Sequence, residues 1–106
     1  MAVELLIRRH DTGTSELVPV ATSDVFHKYW GKGSEKLNLH HVPLFEDAVE
    51  DFARAEIPVI IEELRSLSRW FEETQSPEDA RTLVGRVNNV ILAFQRVLND
   101  SNLSIG

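Results

Sequence analysis

Cysteine is absent from this chain. That excludes a disulfide framework, thiolate zinc sites and a cysteine nucleophile, and it fits a reducing compartment. Long apolar runs are also missing, since no stretch approaches the ~18 residues of a membrane span. The opening Met1-Ala2-Val3-Glu4-Leu5-Leu6-Ile7-Arg8-Arg9 carries its basic residues after the apolar run. A secretory signal carries them before a longer apolar core, so a mature N-terminus and a cytoplasmic location are expected. Internal repeats and low-complexity tracts are absent too. Basic residues are few, and the net charge is −6. Against these absences stands a hydrophobic fraction of 42%, too high for a disordered acidic chain. The length of 106 residues suits one domain with a single core.

The charge is unevenly placed. Residues 1–45 carry five basic and five acidic side chains, whereas residues 46–106 carry six arginines against twelve acids and so hold the whole excess. The densest run is Glu46–Glu63, where Glu46, Asp47, Glu50, Asp51, Glu56, Glu62 and Glu63 face one arginine, Arg54. Such a run opposes sequence-independent contact with phosphate backbones and suits either a solvated surface or steering toward a basic protein.

Val3, Leu5 and Ile7 alternate with Glu4, Leu6 and Arg8, which is the period of a strand. His10 to Ser15 has turn chemistry, with Gly13 free to take positive φ. Leu17-Val18-Pro19-Val20 reads as the returning strand. Pro19 cannot donate to a ladder, so that strand belongs at an edge or is short. Thr22-Ser23-Asp24 offers a helix start before Val25 to Trp30, and Gly31-Lys32-Gly33-Ser34 is expected to stop it within two turns. Leu37 to Val42 reads as a third strand closed by Pro43. Residues 46–56 are ambiguous, although Val49, Phe52 and Ala53 have the spacing of a short helix.

From Ile57 the pattern sharpens. Ile57, Ile60, Ile61, Leu64, Leu67 and Phe71 form one helical stripe, with Pro58 in the tolerated first turn and Val59 and Trp70 beside the stripe. Ser76 is the N-cap of a second helix, with Pro77 at its first position and Glu78 and Asp79 at the positive end of its dipole. Its apolar arc, Leu83, Val84, Val87, Val90, Ile91, Phe94, Val97 and Leu98, is wide enough to touch both the first helix and a sheet. The connection is about four residues, so the helices are antiparallel neighbours. The expected fold is α+β in one domain spanning 1–106: an N-terminal antiparallel sheet of two or three strands in a β-rich part, 1–45, packed on a helical hairpin, 57–99.

Candidate chemistry is sparse. The four histidines His10, His27, His40 and His41 lack the i, i+4 spacing of a helical zinc site, and His40 and His41 point to opposite faces if their segment is a strand. No metal and no cofactor are expected. His10, Asp11 and Ser15 are triad residue types within one turn, where stabilising the turn accounts for them better than catalysis. Asn88 and Asn89 flank the arc of the second helix and default to water. Phe26, Tyr29 and Trp30 with Lys28 and Lys32 admit three readings: core, protein-binding anchor, or base-stacking surface.

The layout resembles that of small bacterial immunity proteins from polymorphic-toxin and contact-dependent inhibition systems. The resemblance rests on Val3-Glu4-Leu5-Leu6-Ile7-Arg8, Leu17-Val18-Pro19-Val20, Val42-Pro43-Leu44-Phe45 and the segment from Ile57 to Leu64. It implies a cytosolic, non-enzymatic inhibitor that blocks a toxin domain, often a basic nuclease, and it transfers no site residue. From the charge and the tryptophans, the partner-binding candidates are Glu46, Asp47, Glu50, Asp51, Trp30 and Trp70, with a basic protein as partner, no nucleic acid, no membrane, and a monomeric or homodimeric state. The competing reading is a small hydrolase or metal-binding protein built on the histidines and carboxylates.

Overall fold

The computed structural model describes residues 2–47 and 50–106. The alternating opening is strand β1 (Ala2–Arg9), which buries Val3, Leu5 and Ile7. It pairs antiparallel with β2 (Ser15–Thr22) through a turn in which Gly13 takes φ 73°. The sheet order is β2-β1-β3, so β2 is an edge strand, where Pro19 leaves no partner without a donor. Pro19 lies opposite Glu4 at a register shift: Val3 faces Ala21 and Glu4 faces Pro19, leaving Val20 as the extra residue of a bulge.

The third strand is not the one expected. Residues 37–42 form no strand, and β3 is Leu103–Ile105, from the other end of the chain. The expected β-rich part therefore has its strands only up to Thr22 and is helical beyond it. Thr22 caps α1 (Ser23–Val25) by accepting from the Val25 N–H at 3.3 Å. The helical path then continues through a π-helical stretch, Phe26–Gly31, into α2 (Lys32–Leu37).

The Gly31 to Ser34 segment does not stop this path. Gly33 serves helix packing instead: a Cβ placed there would stand 2.5 Å from Leu67 Cδ1 and 3.0 Å from the Trp70 ring, so its hydrogen lets α2 approach the next helix closely. The stop comes at Asn38, which takes the left-handed conformation (φ 57°). The N–H of Leu39 returns to Ser34 O at 2.8 Å, as in a Schellman closure with asparagine in the glycine position. The alternation of Leu37 and Leu39 thus marks a helix end rather than a strand.

After single 3₁₀ turns at Val42–Phe45 and Arg54–Glu56 come α3 (Ile57–Thr74) and α4 (Pro77–Asn99). The short helix suggested by Val49, Phe52 and Ala53 does not form over residues 50–53, and Val49 lies outside the described residues. The expected stripe of α3 is buried throughout, from Ile57 to Phe71. Ser76 caps α4 by accepting from the Asp79 N–H at 3.3 Å, with Pro77 in the first turn. The wide arc of α4 touches α3, β2 and β3, which explains its width, while Asn88 and Asn89 face water. Leu98, at the edge of that arc, stays partly exposed. Aromatic rings tie the layers together. Phe45 stacks on Phe94 at 5.8 Å between centroids, Phe52 sits against both, and Trp30 meets Phe71 edge-on at 6.4 Å.

Candidate functional site

The acidic run from Glu46 to Glu63 is the natural place to look for function, and the fold consumes much of it. Glu63 is buried on α3. Its Oε1 accepts from the backbone N–H groups of His41 at 2.9 Å and Val42 at 3.2 Å, and its Oε2 meets His41 Nδ1. The other ring nitrogen of His41 reaches Glu56 Oε2 at 2.9 Å. Burial by itself pushes the His41 pKa down; the hydrogen bonds and negative charges of Glu63 and then Glu56 outweigh it, so the pKa is raised above its ordinary 6.5. Both ring nitrogens donate to carboxylates, which leaves neither lone pair for a metal or a substrate proton.

Three further acids of the run are also engaged, and one of them, Glu62, pairs with Arg65 along α3 at 2.8 Å. Glu46 pairs with His27, linking the π-helical stretch to the segment after the first 3₁₀ turn. Asp51 pairs with Arg8 and accepts from Ser104 Oγ at 2.6 Å. Arg54 is not the neutralising exception in an acidic patch. Its guanidinium points away to the carbonyls of Val97 and Leu98 at the end of α4, of Asp100 (3.2 Å) and of Leu103 (2.7 Å). It therefore gathers carbonyls around a helix C-terminus, those of Val97 and Asp100 also accepting backbone N–H groups, and fastens β3 to the hairpin. Asp100, which binds Arg9 at 3.1 Å and receives the Asn102 N–H at 3.0 Å, has its pKa lowered first by that backbone bond and then by the arginines.

The Ser104 contact brings together a set of residues that sequence reading missed. His10 Nε2 lies 2.7 Å from the same Ser104 Oγ, so serine, histidine and aspartate meet on the sheet surface although they are far apart in the chain. The order is not that of a hydrolase. A nucleophile needs its histidine to accept its proton and a carboxylate to hold the histidine from behind. Here the serine is central, its one proton goes to Asp51 Oδ2, and His10 is left to donate to Oγ. The arrangement staples β1, β3 and the segment at Asp51. Asp11 and Ser15, the other triad types of the first turn, are exposed and stand apart from it. Among the described residues no group of three or more histidine or carboxylate side chains is placed to hold a metal ion.

Of the six expected partner-contact residues, Trp30 is corrected outright. It is fully buried, stacked on Phe26 at 5.9 Å, and belongs to the core. A two-turn aromatic segment held to the domain by its own rings has to bury them. Trp70 is half-buried on α3, beside the stripe. Glu46 and Asp51 are on the surface but committed to His27 and to Arg8 and Ser104. Asp47 and Glu50 are exposed and have no ion-pair partner among the described residues. The same holds for Glu72, Glu73, Glu78 and Asp79, which flank the turn between α3 and α4. Reading each helix separately hides this second group, because only the turn brings the two pairs together. Among the described residues no helix is long and apolar enough to cross a membrane.

No family model, no curated protein and no solved structure matches this chain.

Proposed function

We propose that this chain is a non-enzymatic binding protein that captures a basic protein partner, in the manner of an immunity protein neutralising a toxin domain. The supporting observation is the sorting of its charged groups. The histidines His10, His27 and His41 are tied to serine or carboxylate partners, while exposed acids unpaired among the described residues stand at Asp47 and Glu50 and around the α3–α4 turn. Unpaired surface charge of one sign speeds encounter with an oppositely charged partner and fixes its orientation, while buried anchors set the lifetime of the complex. The half-buried Trp70 and the exposed Leu17, Leu44, Val59 and Leu92 are among the available anchors of that kind.

The test uses charge reversals that leave the internal pairs intact. Asp47→Lys with Glu50→Lys meets this condition, whereas reversing Glu46 or Asp51 would break contacts that hold the fold. Tagged wild-type protein and the double reversal are used to isolate a partner from the native cell, and association rates are measured between 50 mM and 500 mM salt. The expected partner is basic, binds wild type faster at low salt, and loses on the order of ten-fold in on-rate with the reversal. An on-rate insensitive to both salt and reversal would refute the reading, as would a partner without a basic surface.

A further inference from the structure

The outer edge of β2 is open. On the β3 side of β1, Leu6 exchanges both backbone hydrogen bonds with Gly106, its N–H at 2.7 Å and its C=O at 3.1 Å. Leu17, which faces Leu6 from β2, is therefore its non-hydrogen-bonded partner. The N–H and C=O of Leu17 consequently point away from the sheet. By the same alternation so do those of Ser15, opposite Arg8, and the C=O of Pro19, opposite Glu4. Ser15, Leu17 and Pro19 are all exposed, and no acceptor among the described residues takes the Ser15 or Leu17 N–H. Such a row is a template for another strand. Pro19 and the bulge at Val20 blunt the far half of the edge, which leaves Ser15 to Pro19 for pairing.

Both flanks of this stretch are apolar. Leu17, on the sheet face turned away from the helices, and Leu92, on α4, are the two most exposed large apolar side chains among the described residues, at 61% and 58%. Leu92 lies one turn from Arg96, whose guanidinium reaches both carboxylate oxygens of Glu16 at 3.1 and 3.4 Å. It therefore belongs to the face of α4 that looks along this edge. Glu16 is the one charged side chain of the stretch, and Arg96 neutralises it. A neutral edge with apolar flanks selects neither a basic nor an acidic strand and fits a copy of itself. Paired antiparallel about Leu17, the stretch sets Leu17 opposite Leu17 and Ser15 opposite Pro19. Every outward N–H then finds a C=O, and the donor that Pro19 lacks is missed only by the Ser15 C=O at the rim, in water. A centre at Glu16 would set two glutamates directly opposite. A centre at Val18 would put Ser15 beyond the bulge, without an acceptor.

We infer that two copies of this chain join edge to edge through Ser15–Pro19, antiparallel about a two-fold axis at Leu17, so that their sheets become one of six strands in the order β3-β1-β2-β2-β1-β3. Leu17 of each copy packs on Leu17 of the other beside Leu6, and each α4 turns its Leu92 face toward the second copy. These apolar flanks supply the burial that strand pairing alone lacks. The inference stands apart from the partner-capture reading. It takes Leu17 and Leu92 from the anchors open to a basic partner and leaves Trp70, Leu44 and Val59.

Sedimentation equilibrium of the full chain from about 10 μM to about 1 mM is expected to show a monomer–dimer equilibrium, since even a weak pair associates at the upper end. Leu17→Lys changes a side chain too exposed to matter to the core of the monomer. It sets two ammonium groups opposite each other at the axis and should weaken the dimer at least about ten-fold. Leu92→Lys should weaken it too and leaves β2 unaltered, should the first variant disturb the strand. Val59→Lys, at an exposed apolar site on α3, should leave the dimer unchanged. Amide hydrogen exchange separates edge pairing from a contact between the open sheet faces. With wild type and Leu17→Lys both at about 1 mM, the Ser15 N–H should exchange on the order of ten-fold more slowly in wild type, because only edge pairing gives it an acceptor. A chain that stays monomeric up to about 1 mM overturns the inference and leaves the edge to a strand of another protein. A dimer indifferent to both edge lysines, or one whose Ser15 N–H exchanges as freely as in the variant, overturns it as well.

Discussion

Loss of the His41 imidazole should unsettle the fold in a pH-dependent way. Glu63 is buried on α3 and His41 Nδ1 is its charged partner, with Glu56 on the far nitrogen. Replacing His41 by Gln removes the positive charge and leaves the Glu63 carboxylate with neutral donors, chiefly the backbone N–H groups of residues 41 and 42. Removing one member of a buried pair costs about 3–5 kcal/mol. His41 keeps a fifth of its side chain exposed, and the two backbone donors remain, so the lower end, about 3 kcal/mol, is expected near pH 6. A domain of ordinary stability has about 5–15 kcal/mol in total, which makes this a large share. The sign of the pH effect follows from the raised pKa. The folded value lies above the unfolded 6.5, so the imidazolium's contribution is complete below 6.5 and fades as pH rises through the folded value. Urea unfolding of wild type and His41→Gln at pH 6 and pH 9 should therefore give a wide gap at pH 6 and a narrower one at pH 9. Taking the difference between the two proteins cancels the titration of the other histidines. A gap of equal size at both pH values would show that His41 is not held as a charged bridge.

Leu64 and Phe94 are fully buried at the middle of α3 and α4, so truncating either to Ala should cost about 2–5 kcal/mol in a urea melt; a loss under about 0.5 kcal/mol would place the stripe in water. Arg54→Ala withdraws the guanidinium from four carbonyls around the end of α4 and the start of β3, and hydrogen exchange should speed up in residues 97–106 with a global loss of about 1.5–3 kcal/mol; unchanged exchange there would dismiss the clamp. Gly33→Ala places a methyl group against Leu67 and Trp70, and a loss of about 1–3 kcal/mol is expected, partly restored by Leu67→Val; a stabilised Gly33→Ala would mean that ordinary helix propensity outweighs the close approach.

Much of the helical hairpin can be read in the order of residues. Ser76-Pro77 and the stripe from Ile57 to Phe71 are signals carried within one turn or one face, and local geometry delivers them unaltered. The first strand, its turn at Gly13 and the edge position of the Pro19 strand are local in the same sense. The misreadings share one cause. The segment 37–42 alternates like a strand, but Asn38 ends a helix whose glycine was needed for contact with α3, a requirement visible only once Leu67 is beside it. The true third strand, Leu103–Ile105, is too short to carry a period and exists because β1 offers it an edge.

The candidate surface divides along the same line. That the chain is acidic, cysteine-free and two-helical toward its end follows from composition and periodicity, which depend on each residue and its near neighbours alone. Which acids are available to a partner does not. Glu46, Asp51, Glu56 and Glu63 are each paired across the fold, with His27, with Arg8 and Ser104, and with His41. Arg54 spends its charge on carbonyls more than forty residues away, and Trp30 lies in the core. Charge is a property of a residue, whereas pairing, burial and the reach of a donor are properties of distance, and distances between remote residues are set only when the chain has closed on itself.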